Sequence, residues 1–189
     1  MSGERFHPSK ANKLIDPKRY ELLVPNKIIK DFGVGEGDIV ADLGAGNGFF
    51  TIPLAEKTKT IVYAVDIEPK MLELLKERAK KANIDNIQYV LSDLEEIKLD
   101  DHSVDKAVIS LVLHELPNLQ QALKEVKRIL KSGGQLYLLE WEEVESEMGP
   151  PLHERISSSD MIEILKKQGF AVEMSYSNDS VYGLTGVVD

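Results

Sequence analysis

The chain has 189 residues, no cysteine and a formal net charge of −9, from 32 acidic against 23 basic side chains. This length fits one domain with a substantial core. The missing cysteines exclude disulfides, thiolate metal sites and cysteine nucleophiles, and the negative charge argues against a nucleic-acid partner. The sequence has no apolar run near the roughly 20 residues of a membrane span, and its polar N-terminus lacks a signal-peptide core, so we expect a cytoplasmic protein.

The first part of the chain, residues 1–34, is predicted to form an N-terminal helical cap segment. Asp16 is a plausible N-cap with Pro17 in the first helical position. Pro25 interrupts this helix, and a second short helix is expected over residues 26–32. Residues 35–189 are then the expected core of a single domain that spans 1–189.

The central motif follows the first predicted strand. Ile39-Val40-Ala41 is apolar and ends at Asp42, three glycines come at alternate positions, and a helical pattern begins at Phe49. Strand, glycine turn and helix are how an open α/β sheet builds a small-molecule site. The dinucleotide fingerprint would require glycine at position 49, and a carboxylate at the strand end repels a pyrophosphate. The pattern therefore favours a positively charged ligand, although a turn that merely joins strand to helix remains an alternative.

This heptapeptide, Asp-Leu-Gly-Ala-Gly-Asn-Gly, resembles the first motif of the class I S-adenosylmethionine (SAM)-dependent methyltransferases. SAM carries an ammonium group and a sulfonium and has no phosphate. The resemblance implies SAM as cofactor and S-adenosylhomocysteine as product. It also implies that the methionine part of SAM is bound by Asp42, Gly44, Ala45, Gly46, Asn47 and Gly48.

The second predicted strand, residues 60–65, is a buried apolar run that ends at Asp66. An acid at the end of the second strand can accept two hydrogen bonds from ribose hydroxyls. The alternative is an N-cap for the next helix, predicted over residues 69–82, and the two roles can coexist. The resemblance places Ile67 and Met71 among the cofactor contacts as well.

The third strand, residues 87–91, is followed by Asp93 and Leu94. In the resembled family this acid binds the adenine amino group, and the next backbone amide contacts the ring. A plain turn role for Asp93 stays open.

The fourth predicted strand covers residues 104–112 and precedes the candidate catalytic residue. In the resembled family, the carboxyl end of the fourth strand borders the methionine part of the cofactor. The resemblance therefore implies that Ser110 and Leu111 contact the cofactor. His114 follows where the methyl group should point, and an imidazole titrates near neutral pH. It is the candidate general base, with a loop-packing histidine as the alternative. The four histidines show no metal-ligand spacing, so no metal site is expected.

The remaining elements complete the predicted sheet. A helix over 118–130 is expected to stop at Lys131-Ser132-Gly133-Gly134, before a fifth strand over 135–141. After the irregular residues 142–157, Ser159 or Asp160 is predicted to cap a helix that runs to Gln168. Two antiparallel strands, 170–176 and 181–187, then form a terminal hairpin.

Together these elements predict an α/β, Rossmann-like class I methyltransferase fold. Its sheet is mostly parallel and seven-stranded, with helices on both faces and a C-terminal antiparallel hairpin. The segments 113–116 and 130–134 are similar to the small methyltransferase type 11 and ubiquinone/menaquinone-biosynthesis-like group.

Residues 5–25 and 140–157 do not build the predicted core and are expected to form the substrate wall. Within them the candidate substrate residues are Glu140, Trp141 and Arg155, and the irregular segments also bring His7 and His153 within possible reach.

Three hypotheses follow for the function. The first is a SAM-dependent methyltransferase that acts on an unidentified small-molecule acceptor, as a monomer or homodimer. The second is a non-catalytic SAM-binding or partner module with the same fold. The third is a nicotinamide-dependent oxidoreductase, against which Phe49 and Asp42 both count.

Overall fold

The computed structural model describes residue 11 and residues 14–188. Within that part of the chain there are seven strands. They are β1 Val40–Leu43, β2 Val62–Asp66, β3 Ile87–Leu91, β4 Val104–Ser110, β5 Leu130–Trp141, β6 Phe170–Ser177 and β7 Val181–Val188.

The same described residues contain six α-helices. They are α1 Pro17–Leu23, α2 Pro25–Asp31, α3 Thr51–Lys57, α4 Pro69–Lys81, α5 Leu119–Ile129 and α6 Ser158–Lys167. Single turns of 3-10 helix at Leu113–Glu115 and Leu152–Glu154 interrupt two of the connections.

All seven strands form one sheet in the order β3-β2-β1-β4-β5-β7-β6. The first five strands pair in parallel, whereas β7 pairs antiparallel with both β5 and β6. This confirms the predicted fold class, a mostly parallel sheet with a C-terminal antiparallel hairpin. Because parallel strands end at the same edge, the carboxyl ends of β1 to β4 lie side by side there.

The two faces of the sheet are covered by different helices. Val40 pairs with Val62 across β1 and β2, and Ala64 lies two residues further on the same face. Side chains of α2, α3 and α4 cover this face. Ala41 and Leu43 point to the opposite face, where apolar side chains of α5 and α6 pack. Helices on both faces are what buried parallel strands require.

The N-terminal elements begin as predicted. The Asp16 carboxylate accepts a hydrogen bond of 2.9 Å from the backbone N–H of Lys18, and Pro17 is the first residue of α1. Leu23 of α1 is buried in the same cluster as Val40 of β1. His7 lies outside the described residues, and the domain boundaries stay a prediction.

Two details differ from the sequence-based expectations. Strand β5 begins at Leu130, which pairs with Val104, and the register then shifts so that Lys106 pairs with Gln135. Lys131–Gly134 is therefore a bulge within the strand, and α5 has already ended at Ile129. The predicted cap of α6 was also wrong, because the Ser157 side chain accepts the hydrogen bond from Asp160 N–H.

None of the described helices has both the length and the apolar run needed to cross a lipid bilayer.

Candidate functional site

A cavity of about 580 Å³ opens at the carboxyl edge of the sheet. Most of the predicted site residues line it together: Asp42, Gly44, Ala45, Gly46, Asn47, Asp66, Ile67, Met71, Asp93, Leu94, Ser110, Leu111, His114 and Trp141. Gly48, Glu140 and Arg155, which were predicted with them, are not part of the lining. The volume lies within the usual range of small-molecule pockets.

Asp42 lies at the end of β1 and is 2% exposed. The Thr51 hydroxyl, in the first turn of α3, donates a hydrogen bond of 2.5 Å to its carboxylate. Burial raises the pKa of Asp42 to about 7, the Thr51 hydrogen bond opposes this shift, and the charge of Asp66 adds to it. A buried carboxylate with this pKa favours a bound cation, since an opposite charge would return it to its ionised form.

The glycine loop serves both the cavity and the packing beneath it. Gly44 lines the cavity with φ of +78°, and an added Cβ would lie 3.0 Å from the Val112 side chain. Gly48 has φ of +91°, and its Cβ would lie 2.2 Å from Cδ1 of Leu75 in α4. The loop therefore needs glycine at Gly44 beside the ligand space and at Gly48 for helix packing.

Asp66 ends β2 and is held by two backbone donors. Its Oδ2 accepts 2.7 Å from Gly46 N–H, and its Oδ1 accepts 2.8 Å from Glu68 N–H. Burial raises the pKa of Asp66, and these backbone hydrogen bonds oppose the shift. Each oxygen keeps lone-pair capacity for another donor, so the fixed carboxylate can also accept from a pair of ligand hydroxyls. The N-cap of α4 is Glu68, not Asp66.

Asp93 follows β3 and adopts a local turn geometry. Its Oδ1 accepts 2.9 Å from Glu95 N–H, while both Asp93 and the buried Leu94 line the cavity. The turn role and the ligand role proposed for this acid are thus compatible, because only one oxygen has a hydrogen bond among the described residues.

The end of β4 is conformationally unusual. Leu111 has φ of +56°, which L-residues rarely adopt, and its N–H donates 2.8 Å to the Leu139 carbonyl. Strained backbone of this kind concentrates at functional sites. Leu111 and Ser110 form the cavity wall between the glycine loop and the histidine.

His114 and Glu140 form a buried pair at the cavity wall. Nδ1 of His114 lies 2.9 Å from Oε1 of Glu140, and the two side chains are 7% and 0% exposed. Glu140 also accepts from the backbone N–H groups of Leu113 and Trp141. The N–H at Nδ1 donates to the carboxylate, so proton exchange falls to Nε2, which lies 3.9 Å from Oε1 of Glu115. Glu140 lies behind His114, where it orients the ring.

The charges around His114 set its proton affinity. Burial would lower the pKa of His114, but the hydrogen bond and charge of Glu140, with the charges of Glu115 and Glu154, raise it above its usual value of 6.5. The imidazole therefore holds its proton to higher pH than an ordinary histidine does.

The outer wall of the cavity comes from the segment after β5. Trp141 is 6% exposed, and Met148, Gly149, Pro150 and Pro151 line the cavity beside it. Arg155 ties this segment together rather than facing the cavity. Its guanidinium donates to the carbonyls of Glu142, Val144, Met148 and Pro150 and lies 5.6 Å from the Trp141 ring.

The structure adds wall residues that sequence reasoning had not singled out. Arg19 and Phe49 line the cavity, and Leu14 approaches the glycine loop from the N-terminal segment. The Asn47 side chain donates 2.8 Å to the carbonyl of Ala11 and holds that segment against the loop. The only available signal was that residues 5–25 had no place in the predicted core.

Three buried side-chain atoms lack a hydrogen-bond partner within the described part of the chain. They are Nε of Arg19, Oδ1 of Asn47 and Oγ of Ser110. All three belong to residues that line this cavity. Buried polar atoms are normally satisfied, so these atoms fit a polar ligand in the same space. No group of three or more His, Asp or Glu side chains suited to a metal ion exists among the residues described.

Comparison with known proteins gives the same picture as the geometry. The methyltransferase domain family matches residues 41–138, which is more than half of the chain. The demethylmenaquinone methyltransferase of Staphylococcus aureus is 35% identical over 116 residues, 60% of this chain and 47% of that protein. The chain thus spans about half the length of the curated relatives it matches.

Solved structures extend the similarity over nearly the whole chain. A SAM-dependent methyltransferase from Aquifex aeolicus superimposes with a TM-score of 0.92 at 32% identity, over 98% of this chain and 100% of that one. Phosphoethanolamine N-methyltransferase 1 of Haemonchus contortus, in complex with phosphoethanolamine and S-adenosylhomocysteine, superimposes with a TM-score of 0.71. At 21% identity, over 90% of this chain and 43% of that one, it shows the shared fold alone.

Three observations lead to the same family: the match to the family model, the Aquifex aeolicus structure that this chain covers over its full length, and the acids at three adjacent strand ends. This chain belongs to the methyltransferase domain family, as a member of its class I SAM-dependent group.

Proposed function

We propose that this chain transfers a methyl group from SAM to a small, flat acceptor that bears an ionisable hydroxyl, as a quinol does. The observation that carries the proposal is the meeting of Asp42, Asp66 and Asp93 in one cavity with the glycine loop. The demethylmenaquinone methyltransferase relative supports a quinone-type acceptor. The aromatic and apolar wall at Trp141 suits a flat ring.

The residues present fit the cofactor in a definite arrangement. Asp93 and Leu94 would hold the adenine, Asp66 the ribose hydroxyls, and Asp42 with the glycine loop the ammonium of the methionine part. The sulfonium supplies its own leaving group in an in-line displacement, so the protein's task is binding, alignment and exclusion of water. Alignment of this kind is worth on the order of 7–11 kcal/mol in favourable cases.

His114 is the proposed general base for the acceptor hydroxyl. Its Nε2 takes the proton, while the Glu140 carboxylate, 2.9 Å from Nδ1, holds the ring and stabilises the imidazolium that forms. Glu140 is thus a positioning residue in this proposal. Proton removal makes the acceptor more nucleophilic toward the methyl group.

The remaining expectations are part of the same proposal. The partner is a small molecule, with no nucleic acid, and the protein acts as a monomer or homodimer. Residues 1–34 act as a cap on the single domain, consistent with the contact between Asn47 and Ala11.

The proposal is tested by incubating the purified chain with methyl-labelled SAM and a panel of quinols, phenols and amines, with mass spectrometry of the products. We expect labelled quinol or phenol product.

Asp66→Ala should reduce the affinity for S-adenosylhomocysteine roughly 10- to 100-fold and leave the fold intact, whereas Glu73→Ala, on the exposed face of α4, should change neither. Cofactor binding without any methylated product would favour the non-catalytic module instead.

The role of the histidine is tested by the pH dependence of kcat/KM. The rate should rise as His114 loses its proton, with a midpoint above pH 6.5 because the pKa of His114 is raised. Glu140→Gln removes the negative charge and should move the midpoint to lower pH. An unchanged midpoint in this variant would contradict the pairing as the source of the pH dependence.

A further inference from the structure

The outer wall of the cavity, formed by Trp141 and residues 147–150, has little backbone support of its own. Residues 147–150 line the cavity but belong to no helix or strand. Within the described part of the chain, no backbone–backbone hydrogen bond involves residues 145–150. A stretch of this kind opens easily unless side chains hold it. The shape of the outer wall therefore depends on side-chain contacts.

A single guanidinium supplies most of these contacts. Arg155 is 9% exposed, and its Nη1 donates 2.6 Å to the carbonyl of Val144 and 2.8 Å to Oγ of Ser146. Its Nη2 donates 3.0 Å to the carbonyl of Met148, and its Nε donates 3.0 Å to that of Pro150. These four partners stand at alternate positions of the chain. Only the forked donor set of arginine can reach so many acceptors from one side chain.

Gly149 lies between this guanidinium and the indole of Trp141. Its φ is +103°, and an added Cβ would lie 2.8 Å from Cδ2 of Trp141 and 3.0 Å from Nη2 of Arg155. The guanidinium carbon itself lies 5.6 Å from the centre of the Trp141 ring. The indole, the loop backbone and the guanidinium thus form one packed unit, and the indole is its cavity-facing part.

The position of this unit identifies the part of the ligand space that it borders. Trp141 is the last residue of β5, two strands beyond β1 in the sheet, whereas the acids assigned to the cofactor lie at the ends of β1, β2 and β3. Glu154, next to Arg155 in the chain, lines the cavity and acts electrostatically on His114, the proposed base. The outer wall therefore borders the space where the acceptor would meet His114.

We propose that Arg155 is a positioning residue for the methyl acceptor, because it holds the outer wall in its binding shape before the acceptor enters. The inference rests on the proposed function, since it uses the cofactor orientation assigned there. Arg155 does not line the cavity, so it acts through Trp141 and residues 147–150. A wall that is already ordered removes the entropy loss that ordering it on binding would add.

The fluorescence of Trp141 tests the state of the wall without any acceptor, because the chain has only one tryptophan. Acrylamide should quench the wild-type protein weakly, since Trp141 is 6% exposed. In Arg155→Gln, quenching should rise about twofold or more, because a wall that opens exposes the indole. The Kd of S-adenosylhomocysteine should change by less than about threefold, because the cofactor residues lie on other strands. Arg155→Lys offers one donor atom in place of three and should change quenching in the same direction.

Acceptor binding is tested by calorimetric titration with 1,4-dihydroxynaphthalene, a flat quinol, under anaerobic conditions. The protein is saturated with S-adenosylhomocysteine, which has no methyl group to transfer, so binding is measured without turnover. Arg155→Gln should weaken this probe roughly 5- to 20-fold, as expected when binding must order the wall. Gly149→Ala should weaken it as well, because the new methyl group displaces the indole while Arg155 is still present.

Arg128→Gln is the matched control for loss of a guanidinium that holds backbone. Arg128 donates 2.8 Å to the carbonyl of Leu99 and 2.7 Å to that of Ile97, in a connection that does not line the cavity. The control should lower Tm and leave both the Trp141 quenching and the affinity for the probe unchanged. It therefore separates general destabilisation from a specific effect on the outer wall.

The inference fails on either of two results. Unchanged quenching and probe affinity in Arg155→Gln would show that the wall keeps its shape without the guanidinium. Equal weakening of the probe and of S-adenosylhomocysteine, or equal effects of Arg128→Gln, would assign Arg155 a general structural role. If Arg155→Gln fails to fold, Arg155→Lys and Gly149→Ala decide the question.

Failure of the proposed function itself would look different. Wild-type protein that binds S-adenosylhomocysteine but not the probe would contradict a quinol-type acceptor. The quenching comparison, together with KM and kcat of the Arg155 variants for whichever acceptor is methylated, would then decide the role of Arg155. A raised KM with unchanged cofactor affinity would support it, and an unchanged KM would overturn it.

Discussion

Asp42 is the residue at which the stability of the free protein and the proposed binding of the cofactor conflict. Its pKa is about 7 in the folded chain against 3.8 for an ordinary aspartate, mainly because burial disfavours the ionised form. The folded state therefore binds this proton more tightly than the unfolded state. The free energy of unfolding is highest below pH 3.8 with respect to this group, and it falls as pH rises from 3.8 through 7.

Asp42→Asn should consequently stabilise the cofactor-free protein at pH 8 by about 1–3 kcal/mol, because the amide stays neutral and still accepts from Thr51. At pH 4 the variant and the wild-type protein should have nearly equal stability. The same change should weaken S-adenosylhomocysteine at least tenfold through loss of the charge opposite the ammonium. Urea unfolding at both pH values and calorimetry measure the two effects. Destabilisation at pH 8 would contradict the argument.

The residues whose place in the cavity could be predicted from sequence are those whose position depends on local order along the chain. Asp42 is the third residue of the four in β1, Asp66 is the last residue of β2 and Asp93 comes just after β3. All three therefore lie near the edge where the ends of the parallel strands meet. Arg19 could not be predicted in this way. It lies on a short polar helix, and its burial depends on contact with Phe49 in a different segment.

Glu140 is a second residue whose surroundings could not be predicted from sequence. Its position at the end of a strand suggested a substrate contact, yet the preceding β4–α5 connection folds over it. Its carboxylate thus accepts from Leu113 and pairs with His114. Only the tertiary packing of that connection decides whether this side chain faces the cavity or supports the residue that does.

At the scale of elements, Gly48 couples the glycine loop to helix α4. Its φ of +91° disfavours an L side chain, and a built Cβ would lie 2.2 Å from Cδ1 of Leu75, so the buried Leu75 side chain would have to move. The motif therefore has a packing role in addition to the ligand role that the resemblance implied for each of its members. This explains why a glycine that does not line the cavity is still part of the pattern.

Gly48→Ala should lower the free energy of unfolding by about 2–4 kcal/mol, through overpacking against Leu75 and strain at positive φ. Gly37→Ala is a matched control, since no atom lies within 4 Å of its built Cβ and its φ is not positive. Chemical denaturation of the two variants gives the comparison, and the control should change stability by less than about 1 kcal/mol. Equal stabilities would mean that the loop and α4 adjust freely.

Element boundaries were predictable where caps and apolar runs are local, as for α1 and β3. The boundaries were less predictable where pairing with a neighbouring strand sets them. Leu130 belongs to β5 because it pairs with Val104, and the glycines after it are accommodated as a bulge within that pairing. The residues predicted to stop α5 lie just beyond its observed end at Ile129, but the start of β5 depends on pairing with Val104, a residue 26 positions earlier.

At the scale of the whole molecule, the cavity joins parts of the chain that are far apart in sequence. Its wall comes from the ends of β1 to β5, from α1 and from the segment after β5 that Arg155 holds. The strands supply acids in the order in which the parts of one extended ligand would need them. A ligand that contacts all these elements binds only the folded chain, and so its binding free energy adds to the stability of the fold.

S-adenosylhomocysteine at about 100 times its Kd should therefore raise the free energy of unfolding by about 2.7 kcal/mol. For a chain of this size that corresponds to a rise in Tm of roughly 5–10 °C.

NAD at the same concentration should give no shift, because the acid at Asp42 disfavours a pyrophosphate and Phe49 replaces the third glycine of the dinucleotide fingerprint. Scanning calorimetry at several ligand concentrations tests both statements, with Asp66→Ala expected to need roughly 10- to 100-fold more ligand for the same shift. An equal shift with NAD would show that the edge accepts a pyrophosphate after all. The order of acids along β3, β2 and β1 would then require a different ligand.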